Sequence, residues 1–335
     1  MTKRSSGRTD ATSERWIRFG RERVLVRDVS AADRTAAESA APPVLLINGI
    51  GAHTRMWGLM ERTLAGSRVI SFDAPGAGRS STPRGITSVR SLAELAAQVL
   101  DSVGVEQADA AGYSMGGIVL QQLLADQPSR VRRAVLVGTT PGIGAVYGPA
   151  LSLLNVSTPV RFLSDRLYRR SVGSLVGGRA RTDKQWVEAH LPVRLMHRPS
   201  LTGYSRQVAS LATWSGLPLL GRIEHPVLVV AGDDDPLSPI ANAKLLAHLL
   251  PNARLRVIPD EGHLMPLDDT SAAPPLIREF LAAADLERAA VWQQGRVVDA
   301  AELHHALTGK RLQLQPFPWG VASALKRRRW VSRQG

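Results

Sequence analysis

The chain has 335 residues, of which 44% are hydrophobic and 21% are charged, and these fractions are ordinary for a globular protein with a sizeable core. The sequence has no cysteine, which excludes disulfides, thiolate nucleophiles and cysteine-ligated metal sites. The formal net charge is +13, but the arginines are scattered and no nucleic-acid-binding motif occurs, so we expect no nucleic-acid partner. No apolar run approaches the ~20 residues that span a bilayer, and the first residues lack the apolar stretch of a secretory signal. We therefore expect a cytoplasmic protein without a transmembrane segment.

The first half of the chain begins with polar sequence and then alternates short apolar runs with amphipathic stretches. Residues 1–15 are predicted to be a disordered arm because they carry many charged and few apolar side chains. Strands are predicted at residues 24–29, 44–47, 68–72, 108–113 and 134–137, and helices at residues 56–64, 91–103 and 115–125. This alternation indicates an α/β fold with a mostly parallel sheet and helices on both faces.

The pattern changes in the second half of the chain and then returns. Between residues 141 and 220, strand-like runs give way to Gly, Arg, aromatic residues and broken helical stretches. Strands are again predicted at residues 227–231 and 255–258, and helices at residues 240–250 and 272–281. We therefore predict a core formed by residues 16–140 and 221–283, with an inserted helical cap at residues 141–220. Residues 284–335 are predicted to be a basic C-terminal extension, in which residues 291–307 form one helix.

A serine stands between an apolar strand and an apolar helix in the segment Gly112-Tyr113-Ser114-Met115-Gly116, which is a G-x-S-x-G motif. A strand–turn–helix with this motif projects the serine hydroxyl at the carboxyl end of the sheet, and the glycines relieve crowding in the turn. The N-terminus of the following helix favours a developing oxyanion. We therefore predict that Ser114 is the nucleophile of an acyl transfer and that the backbone N–H of Met115 is one oxyanion donor.

Two later loops contain the partners that a nucleophilic serine requires, which are a base and an acid that orients the base. The loop after residues 227–231 contains Asp233, Asp234 and Asp235, and the loop after the last predicted strand contains His263. Both loops follow parallel strands, so they belong at the same edge of the sheet as the serine. We predict that His263 is the base and that Asp235 is the acid, and Asp234 remains an alternative to Asp235.

Further site residues are predicted from the remaining loops and from the cap. The glycine-rich loop after residues 44–47 contains Ile50, whose backbone N–H is the predicted second oxyanion donor; a simple turn is the alternative. The turn at residues 73–81 lacks the G-K-[ST] of a phosphate-binding loop and is interpreted as structural. Aromatic side chains of the cap are candidate substrate-binding groups, although such residues more often fill a core. These candidates are Tyr147, Trp186 and Trp214.

The segments around these residues resemble the intracellular poly(3-hydroxyalkanoate) depolymerases, which are members of the α/β-hydrolase superfamily. The similarity runs from about residue 15 to residue 281 and rests on Asn48-Gly49 and on residues 72–84, 231–237, 249–253 and 262–264. It implies the α/β-hydrolase fold and a serine hydrolase that acts, without cofactor or metal, on polyester of medium-chain 3-hydroxyacyl units at the surface of storage granules. The catalytic residues implied by the resemblance are Ser114, Asp235 and His263. Met115 stands where the family has tryptophan, and the basic segment after residue 284 exceeds the family pattern.

Other functions are compatible with the same residues. A small-molecule carboxylesterase or lactonase of specialised metabolism uses the same catalytic groups, and a ligand-binding or granule-coat protein has the same fold without turnover. Haloalkane dehalogenases and epoxide hydrolases share the fold but use an aspartate nucleophile, so Ser114 argues against both. In the C-terminal extension a granule anchor is predicted, with a solvated basic terminus as the alternative. Its residues are Phe317, Trp319, Trp330 and the basic run at residues 326–329.

Overall fold

The computed structural model describes residues 10–31 and 41–308 of the chain. In this part of the chain eight strands form one sheet in the order β1-β2-β4-β3-β5-β6-β7-β8. The strands are β1 Asp10–Phe19, β2 Glu22–Ala31, β3 Val44–Ile47, β4 Val69–Phe72, β5 Ala108–Tyr113, β6 Val131–Val137, β7 Val227–Gly232 and β8 Ala253–Ile258. The strand β2 is antiparallel to β1 and β4, and the remaining neighbours are parallel. The predicted mostly parallel sheet is thereby confirmed.

Helices cover both faces of the sheet and also fill the chain between β6 and β7. The helices outside that insertion are α1 Gly58–Thr63, α2 Val89–Ser102, α3 Met115–Asp126, α10 Ile240–Leu249, α11 Ala273–Ala282, α12 Ala290–Gln293 and α13 Ala300–Thr308. The inserted helices are α4 Ala150–Ser157, α5 Asp165–Val176, α6 Arg179–Thr182, α7 Lys184–Leu195, α8 Leu201–Ala212 and α9 Leu217–Leu220. Short 3-10 helices lie at Thr54–Trp57, Pro128–Arg130, Val160–Phe162 and Met265–Leu267. None of the helices in the described ranges is long and apolar enough to cross a membrane.

Alternation along the strands divides the core into two layers. In β3, Leu45 and Ile47 belong to the layer that includes α2, α3 and α10, whereas Val44 and Leu46 belong to the opposite layer, which includes α11 and α12. Successive side chains of a strand point to opposite faces, so a strand that is buried on both sides is a continuous apolar run. This is why the runs at β3 and β7 were recognisable from the sequence.

The order of the strands determines where a site can form. The strand β3 lies between β4 and β5. The connection from β3 leads to its neighbour on one side, and the next parallel strand in the chain, β5, is added on its other side. Such a reversal opens a crevice at the carboxyl ends of the strands. The loops after β3, β5, β7 and β8 all lie at this edge, and the inserted helices cover it.

The predicted disordered arm at residues 1–15 is wrong for residues 10–15. From Asp10 onward the chain forms β1, which pairs with β2 along its whole length. The carboxylate of Glu14 lies within ion-pair distance of three arginine side chains on other segments, Arg27, Arg55 and Arg79. The charged residues that suggested disorder are therefore partners in a polar edge strand. Residues 1–9 lie outside the described ranges.

The start of the predicted C-terminal extension is also corrected. Residues 291–307 form two helices and not one, because the chain between α12 and α13 runs along the edge strand β8. There the backbones of Leu255 and Arg296 exchange two hydrogen bonds of 2.9 Å. Trp292 and Leu303 are each 1% exposed, so residues 284–308 are packed on the core. The predicted granule anchor at Phe317, Trp319, Trp330 and residues 326–329 lies outside the described residues.

Candidate active site

Ser114 occupies the turn between β5 and α3 with φ +55°, a backbone conformation that is rare for any residue other than glycine. The turn is possible because its neighbours lack side chains. A Cβ at Gly112 would lie 2.5 Å from the carbonyl oxygen of Gly116, and a Cβ at Gly116 would collide with the carbonyl group of Ile47. The Ser114 N–H donates to the carbonyl of Val137 at 2.9 Å, which ties the turn to β6. The serine is thus held at the carboxyl edge of the sheet.

A continuous hydrogen-bonded chain joins Ser114 to His263 and Asp235. The Nε2 atom of His263 lies 2.9 Å from Ser114 Oγ, and its Nδ1 atom lies 2.7 Å from Asp235 Oδ2. An ionised carboxylate can only accept, so Nδ1 carries the proton and Nε2 is free to accept the serine proton. The other carboxylate oxygen of Asp235 accepts from the N–H groups of Leu237 and Ser238 at 2.9 Å each. The acid is therefore fixed by its own loop.

The three adjacent aspartates after β7 have separate partners. Asp234 turns toward the inserted helices, where it accepts from Gly178 N–H at 2.6 Å and from Arg181 at 2.9 Å. Asp233 accepts from the N–H of Asp260 at 2.7 Å. The structure thus brings Asp235 to the histidine ring and directs the alternative, Asp234, away from it.

The ring of His263 is enclosed on several sides, and the residue as a whole is 4% exposed. Its backbone N–H donates to the carbonyl of Val176 in α5 at 2.6 Å, so an inserted helix helps to fix the residue. The ring of Tyr113 lies 5.1 Å away, and burial raises the pKa of this tyrosine, which therefore stays neutral. Gly138 has φ +52°, and a Cβ there would lie 3.3 Å from His263 Nδ1. Backbone and ring contacts together restrict the ring to one orientation.

The two predicted oxyanion donors flank the serine. A Cβ at Gly49 would lie 3.2 Å from Ser114 Cβ, so the loop after β3 passes directly beside the nucleophile. Within the described part of the chain, the backbone N–H groups of Ile50 and Met115 donate to no protein acceptor. The first N–H groups of a helix have no intrahelical partner, which explains the free donor of Met115 at the start of α3. Both residues line the same cavity as Ser114.

A cavity of about 430 Å³ opens beside Ser114 and His263 and is lined mainly by apolar side chains. Of the three aromatic candidates, Tyr147 lines this cavity. Trp186 is instead stacked on His190 at 4.0 Å within the inserted helices, and Trp214 packs on the core and donates to Gln122 at 2.6 Å. Neither tryptophan is at the cavity wall: Trp186 is in a helix, whose pattern does not reveal which side a residue faces, and Trp214 is in the connection between α8 and α9. The lining residues that the sequence did not single out include Ile118, Ile143, Val146, Leu153, Val156, Val208, Leu211 and Leu237.

Two hydroxyl groups that the sequence did not indicate support the site from behind. Thr139 Oγ1 donates to the backbone carbonyl of Ser114 at 2.7 Å, and Ser238 Oγ donates to the backbone carbonyl of Thr139 at 2.8 Å. These bonds connect the loops after β5, β6 and β7. The sequence contained one indication of this role, which is that Thr139 lies two residues after β6 and therefore at the same edge of the sheet as Ser114.

Comparison with known proteins agrees with this geometry. The family model described as the alpha/beta hydrolase fold matches residues 42–270. A poly(3-hydroxyalkanoate) depolymerase of Ectopseudomonas oleovorans is 36% identical over 252 residues, which cover 74% of this chain and 88% of that protein. A relative from Pseudomonas savastanoi pv. phaseolicola, named as a carbamate hydrolase, is 28% identical over 72% of this chain and 95% of its own length. The crystal structure of an enol-lactonase from Burkholderia xenovorans has a TM-score of 0.68 and 21% identity over 80% of this chain and all of that one, which shows the shared fold. The chain therefore belongs to the α/β-hydrolase fold family and is an enzyme of the hydrolase type, similar in sequence to a poly(3-hydroxyalkanoate) depolymerase.

Proposed function

We propose that this protein is a serine hydrolase of carboxylic esters and that it acts on poly(3-hydroxyalkanoate). The observation that carries the proposal is the hydrogen-bonded chain from Ser114 through His263 to Asp235 at the wall of an apolar cavity. A serine becomes a useful nucleophile only when a positioned base can take its proton, and the 2.9 Å contact to Nε2 meets this requirement.

The proposed reaction has two steps. Ser114 Oγ attacks the ester carbonyl carbon while its proton moves to His263 Nε2, and the carbonyl oxygen becomes an oxyanion held by the N–H groups of Ile50 and Met115. The protonated histidine then gives its proton to the departing hydroxyl oxygen, which leaves an acyl-enzyme. Water, deprotonated by the same histidine, attacks the acyl-enzyme, and the histidine then returns this proton to Ser114 Oγ as the bond to the serine breaks and the 3-hydroxy acid is released. Asp235 stabilises the imidazolium in both steps.

Two observations support an acyl chain of intermediate length as the bound group. The cavity has the size and apolar lining typical of small-molecule sites. The relative from Ectopseudomonas oleovorans, which carries the name of a poly(3-hydroxyalkanoate) depolymerase, aligns with most of the chain. The polymer backbone itself then lies outside the cavity, with one monomer unit at Ser114.

The surface beside the cavity supports a polymeric, water-insoluble substrate. Ile143 and Tyr147 line the cavity and are also exposed, and Leu151 and Leu154 in α4 are 58% and 63% exposed. We call these four residues the apolar rim. No charged residue occurs in the sequence between Arg133 and Arg161, although 21% of the whole chain is charged. An exposed apolar surface of this kind marks an interaction site, and its continuity with the cavity favours the polyester surface of a cytoplasmic granule as the partner.

The deciding experiment is an assay of the purified protein on medium-chain polyhydroxyalkanoate latex. We expect release of soluble 3-hydroxy acids, with loss of at least about 10³-fold in kcat for Ser114→Ala. Ser129→Ala, which removes an exposed hydroxyl from the 3-10 helix after α3, is the matched control and keeps full activity. Full turnover by Ser114→Ala would refute the mechanism.

The same assay separates the other functions. Hydrolysis of short p-nitrophenyl esters without release of acids from the latex identifies a small-molecule esterase or lactonase. Latex binding without any ester turnover identifies a non-catalytic granule protein.

A further inference from the structure

One buried amide connects the helical insertion to the loop that carries Ile50. Gln207 in α8 has no exposed surface. Its Oε1 atom accepts from the N–H of Gly51 at 2.9 Å, and its Nε2 atom donates to the carbonyl of Pro75 at 3.1 Å. Both the acceptor and one donor of the side chain are therefore used, on two different core loops. Those loops follow the neighbouring strands β3 and β4.

The bond to Gly51 acts on the peptide next to the proposed oxyanion donor. Ile50 and Gly51 have successive N–H groups, and only that of Gly51 is satisfied by the protein. Gly51 has φ +66°, and a Cβ there would lie 2.8 Å from the Tyr204 ring of α8. The loop is thus fitted closely against this helix. Holding the Gly51 N–H toward α8 leaves the Ile50 N–H as the donor available beside Ser114.

The other end of the amide is attached to a rigid turn. Asp73 accepts from the N–H groups of Thr54 and Arg79 at 2.7 and 2.8 Å, which closes the turn that contains Pro75. The N–H of Ser200, just before α8, donates to the carbonyl of Gly76 at 3.0 Å. The Gln207 side chain is consequently fixed at its far end and cannot follow the Ile50 loop if that loop moves.

We propose that Gln207 is a positioning residue that sets the direction of the Ile50 N–H. Through it, the geometry of the oxyanion hole depends on how α8 packs on the core. Val208 and Leu211, which follow it in α8, line the cavity. The helix that contacts the acyl group thus also fixes the donor that stabilises the transition state. This inference rests on the proposed acyl-enzyme mechanism.

The test compares Gln207→Met with the wild-type enzyme on p-nitrophenyl butyrate. Methionine has a similar length and makes neither hydrogen bond. We expect kcat to fall about tenfold or more, and by less than the ~10²–10³-fold that follows outright loss of an oxyanion donor, because the Ile50 N–H remains but is misdirected. KM should change less than about threefold. Ser210→Ala, which removes a neighbouring buried hydroxyl of α8, keeps kcat within about twofold.

A pair of inhibitors distinguishes positioning from general loosening of the cavity. Ser114 Oγ adds to the carbonyl carbon of a trifluoromethyl ketone while the serine proton moves to His263. The product carries an oxyanion in the oxyanion hole. The matching methyl ketone occupies the cavity without this addition. For Gln207→Met we expect the affinity for the trifluoromethyl ketone to fall by the same factor as kcat/KM, and that for the methyl ketone to stay unchanged.

Equal losses of affinity for both ketones, or an unchanged kcat, would overturn the proposal. If Gln207→Met does not fold, Gln207→Asn serves instead, because its shorter amide cannot span both loops, and the same two results decide. Failure of this proposal is distinguishable from failure of the proposed function, because the loss of turnover in Ser114→Ala is established first on the same ester.

Discussion

His53 directly follows the loop that carries Ile50, and its ring is buried with 1% of the residue exposed. Its Nε2 atom contacts the carbonyl of Val193 at 2.9 Å, and the ring of His197 lies 5.2 Å away. Burial lowers the pKa of His53 to about 4; the bond to Val193 opposes this shift, and the positive charges of His197, Arg194 and Arg55 add to it. The ring is therefore neutral in the folded protein near pH 7, with its proton on Nε2.

The shift makes the stability of the fold depend on pH with a defined sign. In the unfolded chain the pKa of a histidine is 6.5, so below that pH the unfolded state binds a proton that the folded state does not. The contribution of His53 is complete above pH 6.5 and is lost as the pH falls toward 4. Between pH 7.5 and pH 4.5 the free energy of unfolding should fall by about 2.5 kcal/mol through this residue alone.

The measurement compares urea unfolding of the wild-type protein and His53→Gln at the two pH values. Glutamine keeps a donor for the Val193 carbonyl and does not titrate, so the wild type should lose about 2.5 kcal/mol more than the variant. His304→Gln, which replaces an exposed histidine in α13, should behave as the wild type. Equal losses for the wild type and His53→Gln, or a His53 pKa near 6.5 by NMR titration, would refute the reasoning.

The remaining predictions concern the reaction and the substrate surface. Asp235→Asn should lower kcat by about 10⁴-fold in a folded protein, because the amide favours the His263 tautomer with the proton on Nε2. The control Asp234→Asn should lower kcat by less than about tenfold. Steady-state kinetics on p-nitrophenyl butyrate measure both effects. Leu154→Asp in the apolar rim should weaken binding to polyhydroxyalkanoate latex at least about tenfold in co-sedimentation and leave kcat on the soluble ester unchanged. A chain that ends at Thr308 tests the basic extension in the same assay, and loss of binding there with no effect of Leu154→Asp would assign the anchor to the extension.

The sequence was most informative where one physical requirement dominates a segment. A strand buried on both faces favours a continuous apolar run, so the bounds of β3 followed directly from residues 44–47. The turn at Ser114 requires glycines on both sides, and this requirement is visible as a motif. The chain order of Asp235 and His263 placed them at one sheet edge, where the structure joins their side chains to Ser114.

Segments whose structure depends on distant partners were not predictable in this way. The strand β1 is stabilised by pairing with β2 and by arginines from separate loops around Glu14, none of which is apparent in local composition. Trp186 lies in α7 and Trp214 in the connection between α8 and α9, and the orientation of each side chain is decided by its contact partner, which is His190 for Trp186 and Gln122 for Trp214. The role of Gln207 was not predictable, because a glutamine in a helical sequence is typical of an exposed position. Its burial becomes apparent only when the two loops that it bonds, at Gly51 and Pro75, are known.

At Met115 the backbone and the side chain have different roles, one in the reaction and the other in the choice of substrate. Its backbone N–H is free because it begins α3, and any residue at that position would offer the same donor. Met115 is 3% exposed and lines the cavity beside Ser114, at the position where the resemblance to the depolymerases implies tryptophan. A thioether is narrower and more adaptable than an indole, so the substitution changes the space for the acyl group without changing the oxyanion donor. The proposed mechanism therefore holds for any ester that reaches Ser114, whereas the choice of ester depends on the cavity wall formed by Met115 and the inserted helices.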